Sequence, residues 1–235
     1  MNSGHGGGRQ IPLIFNKYEQ VDFALYEAGG NDLVLQHLQN ITSSKEGKGV
    51  YLWGQAGTGK SHLLQAVCAQ ASKALLNIAY IPLADFKSLS PQMLDGLEQL
   101  SLVCLDDIDS NAGNEEWEQA IFHLYNRLRD LQTPLLITAN NSPKGSSIKL
   151  ADLKSRLAWD HVFHLKVLEE KATLRALQKR ANSRGFDLSE EVADYLFKRV
   201  ARDMHSLFQL LDKLDQASLI AKKKLTIPFV KDLLD

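Results

Sequence analysis

Residues 54 to 61 read Gly-Gln-Ala-Gly-Thr-Gly-Lys-Ser, the G-x-x-x-x-G-K-S pattern of a phosphate-binding loop. Glycine lacks a Cβ, so Gly54, Gly57 and Gly59 let the backbone turn sharply and approach an anion closely. The N–H groups around Gln55, Ala56, Thr58 and the helix start that follows would point at a phosphate, and the helix dipole favours negative charge there. Lys60 is expected to reach the β- and γ-phosphates, and the Ser61 hydroxyl to ligate Mg²⁺. A second cluster lies at Asp106 and Asp107, after the apolar run Leu102-Val103-Cys104-Leu105. Asp106 is the expected Mg²⁺ carboxylate, acting through water or the Ser61 oxygen network, and Asp107 the group that orients or activates an attacking water. Asn140 closes a third apolar run, Pro134 to Ala139, where it could touch the γ-phosphate or the water.

These residues need a scaffold. Val50 to Trp53 is a short buried strand leading into the loop, and Ser61 to Ser72 an amphipathic helix leading out. A strand that is apolar throughout and then ends in carboxylates is buried on both faces of a parallel sheet, and ligands sit at the carboxyl ends of such strands. Further strands are expected at Ala74 to Ile81, ending before Pro82, at Pro134 to Ala139, and at Val162 to Val167. Helices are expected at Asn31 to Ile41, at Asp85 to Gln99, and at Glu115 to Leu131, where Trp117, Ile121, Leu124 and Leu128 make an apolar stripe. The fold class is α/β: a five-stranded parallel sheet flanked by helices. After Glu169 strands cease, and four helical segments (Lys171 to Ser183, Ser189 to Val200, Met204 to Lys223, Pro228 to Leu234) form a small all-α domain. The expected division is a tail at 1–15, a nucleotide-binding core at 16–168 and a helical lid at 169–235.

The chain has 235 residues, net charge −1 and 44% hydrophobic residues, which suits one α/β domain with a small companion. The near-zero charge argues against a protein that chiefly coats nucleic acid. Cys68 and Cys104 read as small buried hydrophobes in a reducing cytosol. No apolar run of 18 residues exists, so no membrane partner is expected. His161 and His164 are three apart on a strand, which sends them to opposite faces and argues against a metal pair. The tail contains Gln10-Ile11-Pro12-Leu13-Ile14-Phe15, an apolar peptide kept extended by Pro12. It either packs on its own domain or docks in another protein's groove. Lys154 and Arg156, beyond the fourth strand, read on their own as solvated helix charges.

A phosphate-loop sheet followed by a helical lid resembles the AAA+ ATPases. Gly54 to Leu64, with His62 after Lys-Ser, resembles their initiator and loader clade, and the Asp106-Asp107 pair resembles the DnaA family. Leu153-Lys154-Ser155-Arg156-Leu157 is similar to that family's box VII, which implies that Arg156 is an arginine finger. Ala201-Arg202-Asp203-Met204 is similar to the start of the lid helix that carries the sensor 2 arginine, which implies that Arg202 and His62 belong to the nucleotide pocket. Gln10, Leu13 and Phe15 are similar to the clamp-binding peptides that insert into the replicative sliding clamp. DnaA initiators continue into a helix-turn-helix domain and carry a long N-terminal domain, and this chain is expected to have neither.

The layout implies a cytoplasmic negative regulator of replication initiation. Held on the DNA-loaded clamp, and so touching DNA mostly indirectly, it would stimulate hydrolysis of DnaA-bound ATP with Arg156 acting in trans. Its own nucleotide would be ADP in preference to ATP, with Mg²⁺, and its own hydrolysis weak. Head-to-tail association of such cores would allow a homo-oligomer. The alternative is a self-hydrolysing helicase loader of the DnaC type, which shares the core motifs.

Overall fold

The computed structural model describes residues 21–42, 49–199, 204–221 and 225–234. Gln10, Leu13, Phe15 and Arg202 lie outside these residues. Five strands, β1 (Val50–Trp53), β2 (Ile78–Pro82), β3 (Leu102–Asp106), β4 (Leu135–Ala139) and β5 (His161–His164), form one sheet in the order β2-β3-β4-β1-β5. All four pairings are parallel, with Val50 opposite both Leu136 and His161. The order puts β1 and β3 either side of β4, so the ends of the three strands that carry the sequence motifs converge.

Strands β3 and β4 are buried along their whole length because helices cover both faces. Side-chain alternation splits the core in two. Tyr51, Val103, Leu105, Leu135 and Ile137 face α3 (Glu115–Asp130) and α4 (Ala151–Leu157). Val50, Leu52, Leu102, Cys104 and Leu136 face α1 (Asp32–Gln39) and α2 (Lys60–Lys73). Trp117 belongs to the first cluster, 3% exposed. Cys68 and Cys104 are both buried in the second, their sulfurs 3.6 Å apart, and burial next to Cys68 pushes the Cys104 thiol well up.

Three expectations need correction, the first being that β5 ends at His164, short of the expected Val167. The helix expected over Asp85 to Gln99 is three short 3₁₀ turns, Leu83–Ser88, Pro91–Leu94 and Leu97–Gln99. Pro91 and the left-handed Gly96 (φ 80°) interrupt any continuous ladder. Arg127 of α3 then ties the segment down, bonding the Leu94 carbonyl (3.0 Å) and Glu98 (3.0 Å). Strand β2 starts at Ile78 rather than Ala74, because α2 runs to Lys73 and Leu75 closes it at φ 58°. Pro82 is the strand's last residue, tolerated because β2 is an edge.

The lid is four helices, α5 (Glu170–Ser183), α6 (Glu190–Arg199), α7 (Met204–Ala221) and α8 (Ile227–Leu234), around a core of its own that includes Leu177, Leu196, Leu207, Leu211 and Val230. Ser189 receives the Val192 N–H at the start of α6, the cap its sequence suggests. One acid of the core makes two ion pairs with the lid. Glu27 pairs with Arg175 (2.9 Å) and Lys179 (2.8 Å), both on α5, and its side chain is only 12% exposed. Burial raises its pKa, but the two cations outweigh burial and hold it below the ordinary carboxylate value. A lowered folded-state pKa adds stability that is complete above the ordinary value and disappears as pH falls through the lowered one. Glu27→Gln is therefore expected to cost about 1 kcal/mol at neutral pH, a modest figure because both cations are half exposed. In thermal unfolding the gap between variant and parent should shrink as pH falls below the ordinary carboxylate value and through the lowered one. A gap that persists there would assign the loss to packing.

Candidate functional site: the ends of β1, β3 and β4

Strand β1 delivers the chain to the loop at Gly54, whose N–H donates to the Ala139 carbonyl at the end of β4 (3.2 Å). A Cβ on Gly54 would lie 2.7 Å from the Leu165 carbonyl oxygen, and one on Gly59 2.7 Å from the Tyr26 ring. The loop thus requires glycine through close approach as well as through the positive φ at Gly57 and Gly59 (81° and 86°). Helix α2 starts at Lys60 immediately after it, so its free N–H groups face the cradle. Lys60 is 9% exposed and donates to the Gly54 (2.7 Å) and Gln55 (2.9 Å) carbonyls. Burial lowers its pKa, while Asp107, Asp106 and Asp109 push it back up.

Asp106, at the end of β3, is 7% exposed and accepts hydrogen bonds at both carboxylate oxygens. Its Oδ1 accepts from Ser61 Oγ (3.0 Å) and Thr138 Oγ1 (2.5 Å), and its Oδ2 from the Tyr80 hydroxyl (2.7 Å). Asp107 is held at φ 61°, a left-handed position that Asp tolerates better than most residues. Its N–H donates to Thr138 Oγ1 (2.8 Å), and its carboxylate accepts from Ser110 Oγ (2.7 Å) and Asn140 Nδ2 (3.3 Å). The Asn140 N–H donates to Asp109. One threonine therefore sets both acids, donating to one and accepting from the backbone of the next.

These groups line one cavity of about 270 Å³, bounded by Ala56, Gly57, Lys60, Ser61, Pro82, Ala84, Asp106, Asp107, Thr138 and Asn140. A glycine cradle and buried lysine fit a polyphosphate. The paired oxygens of Ser61 and Asp106 fit a hard divalent cation such as Mg²⁺, which takes oxygen ligands. Bound there, the cation would neutralise phosphate charge, with Ser61 and Asp106 holding it and Asp107 and Asn140 positioned to orient a water.

Gly54, Gln55, Thr58, Gly59 and His62, all expected at the nucleotide, are not among the residues that bound this cavity. Thr58 braces the loop, donating to the Gln55 carbonyl (2.9 Å) and accepting at its own carbonyl from Tyr26 (3.2 Å). His62 packs against Tyr26 (5.9 Å between rings), and its Nε2 lies 3.1 Å from the Asp22 carbonyl oxygen; a carbonyl only accepts, so Nε2 carries the proton. Burial lowers the pKa of His62. The segment 22–31 was not singled out from the sequence, yet it clasps the loop from outside. Tyr26 is the contact residue, and Asn31 holds the Lys166 backbone on both sides, Nδ2 to its carbonyl (3.2 Å) and Oδ1 from its N–H (2.9 Å). Tyr80, Thr138 and Asp109 were missed too. Thr138 left one signal, a hydroxyl inside an otherwise apolar strand. The lid reaches the same loop, since a Cβ on Gly57 would lie 3.4 Å from the Met204 nitrogen.

Arg156 stands apart from this cavity. It is on α4, and Lys154 beside it is committed to the Ser146 carbonyl (2.9 Å). Among the described residues no carboxylate pairs with Arg156. Its guanidinium lies over the ring of Trp159, 4.4 Å from the centroid.

Residues 23–164 match the family model of the bacterial DnaA ATPase domain, and residues 169–234 match that of the Hda lid domain. In solved structures the chain is similar to domain III of the Thermotoga maritima replication initiation protein DnaA, with TM-score 0.79 and 20% identity over 92% of this chain and 96% of that one. It is similar to AMPPCP-bound DnaA from Aquifex aeolicus, with TM-score 0.66 and 21% identity over 79% of this chain, and spans 61% of that longer protein. It is also similar to the Thermotoga maritima Holliday junction branch migration motor RuvB, with TM-score 0.65 and 16% identity over 90% and 72% of the two chains. At such identities the structural likeness speaks for the fold alone, and the family rests on the two matched models. The chain is a member of the DnaA family of AAA+ ATPases, with a DnaA-type ATPase domain joined to the lid domain of Hda.

Proposed function

We propose that the protein is a negative regulator of replication initiation that stimulates hydrolysis of ATP bound to DnaA, supplying Arg156 in trans while its N-terminal peptide holds it on the DNA-loaded sliding clamp. The observation that carries this reading is the state of Arg156. The residue lies outside the chain's own phosphate cavity and is free of any acid among the described residues, on a domain whose lid is of the Hda kind. A guanidinium in that state is available to a neighbouring subunit's γ-phosphate, where it offsets charge developing as the terminal bond breaks. Gln10, Leu13 and Phe15 are the proposed clamp contacts, Arg202 the proposed lid contact to nucleotide, and 1–15, 16–168 and 169–235 the proposed functional divisions.

The chain's own cavity is proposed to hold ADP with Mg²⁺, fixing core to lid. A ligand bound only by the folded, closed form stabilises it by mass action. Lys60→Ala removes the one cation that lines the cavity among the described residues and is expected to weaken nucleotide affinity roughly tenfold to hundredfold, about 1.4 to 2.7 kcal/mol. Titration calorimetry with ADP checks this, and unchanged affinity would remove Lys60 from the site.

The regulatory reading is tested by following labelled ATP on DnaA with clamp-loaded DNA. The wild-type protein is expected to accelerate its conversion to ADP, and Gln10→Ala to lose the acceleration unless added at high concentration. If the wild-type protein leaves DnaA-bound ATP intact yet hydrolyses ATP alone, the loader-type ATPase takes its place.

A further inference from the structure

Trp159 is 57% exposed, unusual for an indole, whereas Trp117 is 3% exposed and Trp53 packs against the core. It gathers two guanidiniums. Arg156 lies 4.4 Å from the ring centroid and Arg129, from α3, lies 5.1 Å away. The geometry follows from the local chain. Helix α4 ends at Leu157, and the turn bonds Trp159 N–H to the Arg156 carbonyl (3.0 Å). That i, i+3 spacing sets the indole beside the arginine side chain. Arg129 is placed independently, through its Nη1 contact to the Tyr125 hydroxyl (3.5 Å), which in turn donates to Asp160 (2.8 Å), the residue after Trp159.

We propose that Trp159 is a positioning residue for Arg156 and that Arg129 adds a second cation to the same surface, directed at the polyphosphate of a nucleotide bound by the docked partner. This rests on the reading of Arg156 as a finger in trans. A carboxylate partner would consume guanidinium N–H groups. An aromatic face restrains the guanidinium plane and leaves its edge donors free for phosphate oxygens. A long arginine side chain that is already ordered loses less entropy when it enters the partner's site, and correct orientation acts on the rate of the chemical step rather than on docking. Cation–π contacts strengthen once water is excluded, as docking would do.

The test is single-turnover hydrolysis of ATP bound to DnaA, with clamp-loaded DNA and increasing amounts of each full-length variant. Trp159→Ala is expected to lower the maximal rate roughly tenfold with the half-saturating concentration changed less than about twofold. Trp159→Phe, which keeps an aromatic face, should stay within about threefold of the parent, and Arg129→Ala should lose about two- to fivefold. Trp159→Leu covers the same apolar surface without a π face. It should fall with the alanine variant, which separates positioning from packing if the alanine form folds poorly. A Trp159→Leu rate equal to that of Trp159→Phe overturns the proposal, as does a change confined to the half-saturating concentration. If Arg156→Ala also matches the parent, the finger reading fails first, and that outcome is distinguishable because it precedes any effect at Trp159.

Discussion

Arg156→Ala is expected to abolish acceleration of ATP hydrolysis on DnaA, a loss of roughly 10³ to 10⁵ in rate, or about 4 to 7 kcal/mol of transition-state stabilisation. The size follows from where the charge acts. A guanidinium placed at the γ-phosphate in a water-excluded interface meets charge that develops only in the transition state. The side chain is ready for that use, half-buried on α4, free of acids among the described residues and stacked on Trp159. Arg156→Lys keeps the charge but loses the planar fork, and should recover only a small part of the rate. Nucleotide binding to the chain's own cavity should be unchanged in both variants, since Arg156 does not line it. Full acceleration by Arg156→Ala in the presence of clamp and DNA would end the proposal that this residue is the finger.

Glu118→Ala is expected to destabilise the fold by about 3 kcal/mol or more, a fall in melting temperature of roughly 6 to 12 °C. Glu118 is 3% exposed in the first turn of α3. Its carboxylate accepts from the backbone N–H groups of Gly113 (2.6 Å), Lys149 (3.0 Å) and Leu150 (2.7 Å). Removing it leaves three backbone donors short of a partner in a part-buried site, where each costs far more than an exposed bond returns. Lys149 and Leu150 immediately precede α4, so the same change should loosen the helix that carries Arg156. Glu118→Gln keeps an acceptor oxygen and should recover part of the stability. Thermal unfolding measures the first effect, and the hydrolysis assay below the melting temperature measures the second. A melting temperature within about 2 °C of the parent would show that water replaces the carboxylate.

Much of this protein was legible in its sequence, because the relevant signals are local. The Gly54 to Ser61 spacing is a statement about backbone turns. The run Leu102 to Asp107 combines a fully buried strand with acids at its end, and the parallel sheet and the acids' location follow from that pattern. The lid helices carry their own periodicity and start signals, and were found within a few residues. The continuous helix expected over Asp85 to Gln99 is not formed, and the reason is local too: Pro91 and the left-handed Gly96 both oppose a continuous ladder.

What stayed hidden depends on residues far apart in the chain. Glu118 reads as one more acid in the first turns of a helix, a dipole partner in water. Only packing of residues 113 and 149–150 around it makes it a buried acceptor for three backbone donors. Thr138 reads as a β-former, and its link between Asp106 and Asp107 exists only because β3 and β4 are neighbours. Tyr26 and Glu27 belong to no local motif, and only the fold lays them on the phosphate loop and on α5. Box VII marked Arg156 through a resemblance, but its environment came from α3, α4 and the turn between α4 and β5. By itself the sequence determined which groups could bind phosphate and metal, since backbone freedom, charge and strand burial are encoded within a few residues. The tertiary structure decided which acids are satisfied, which cation stays free and what holds it there, because those properties are set by contacts between elements that no local pattern records.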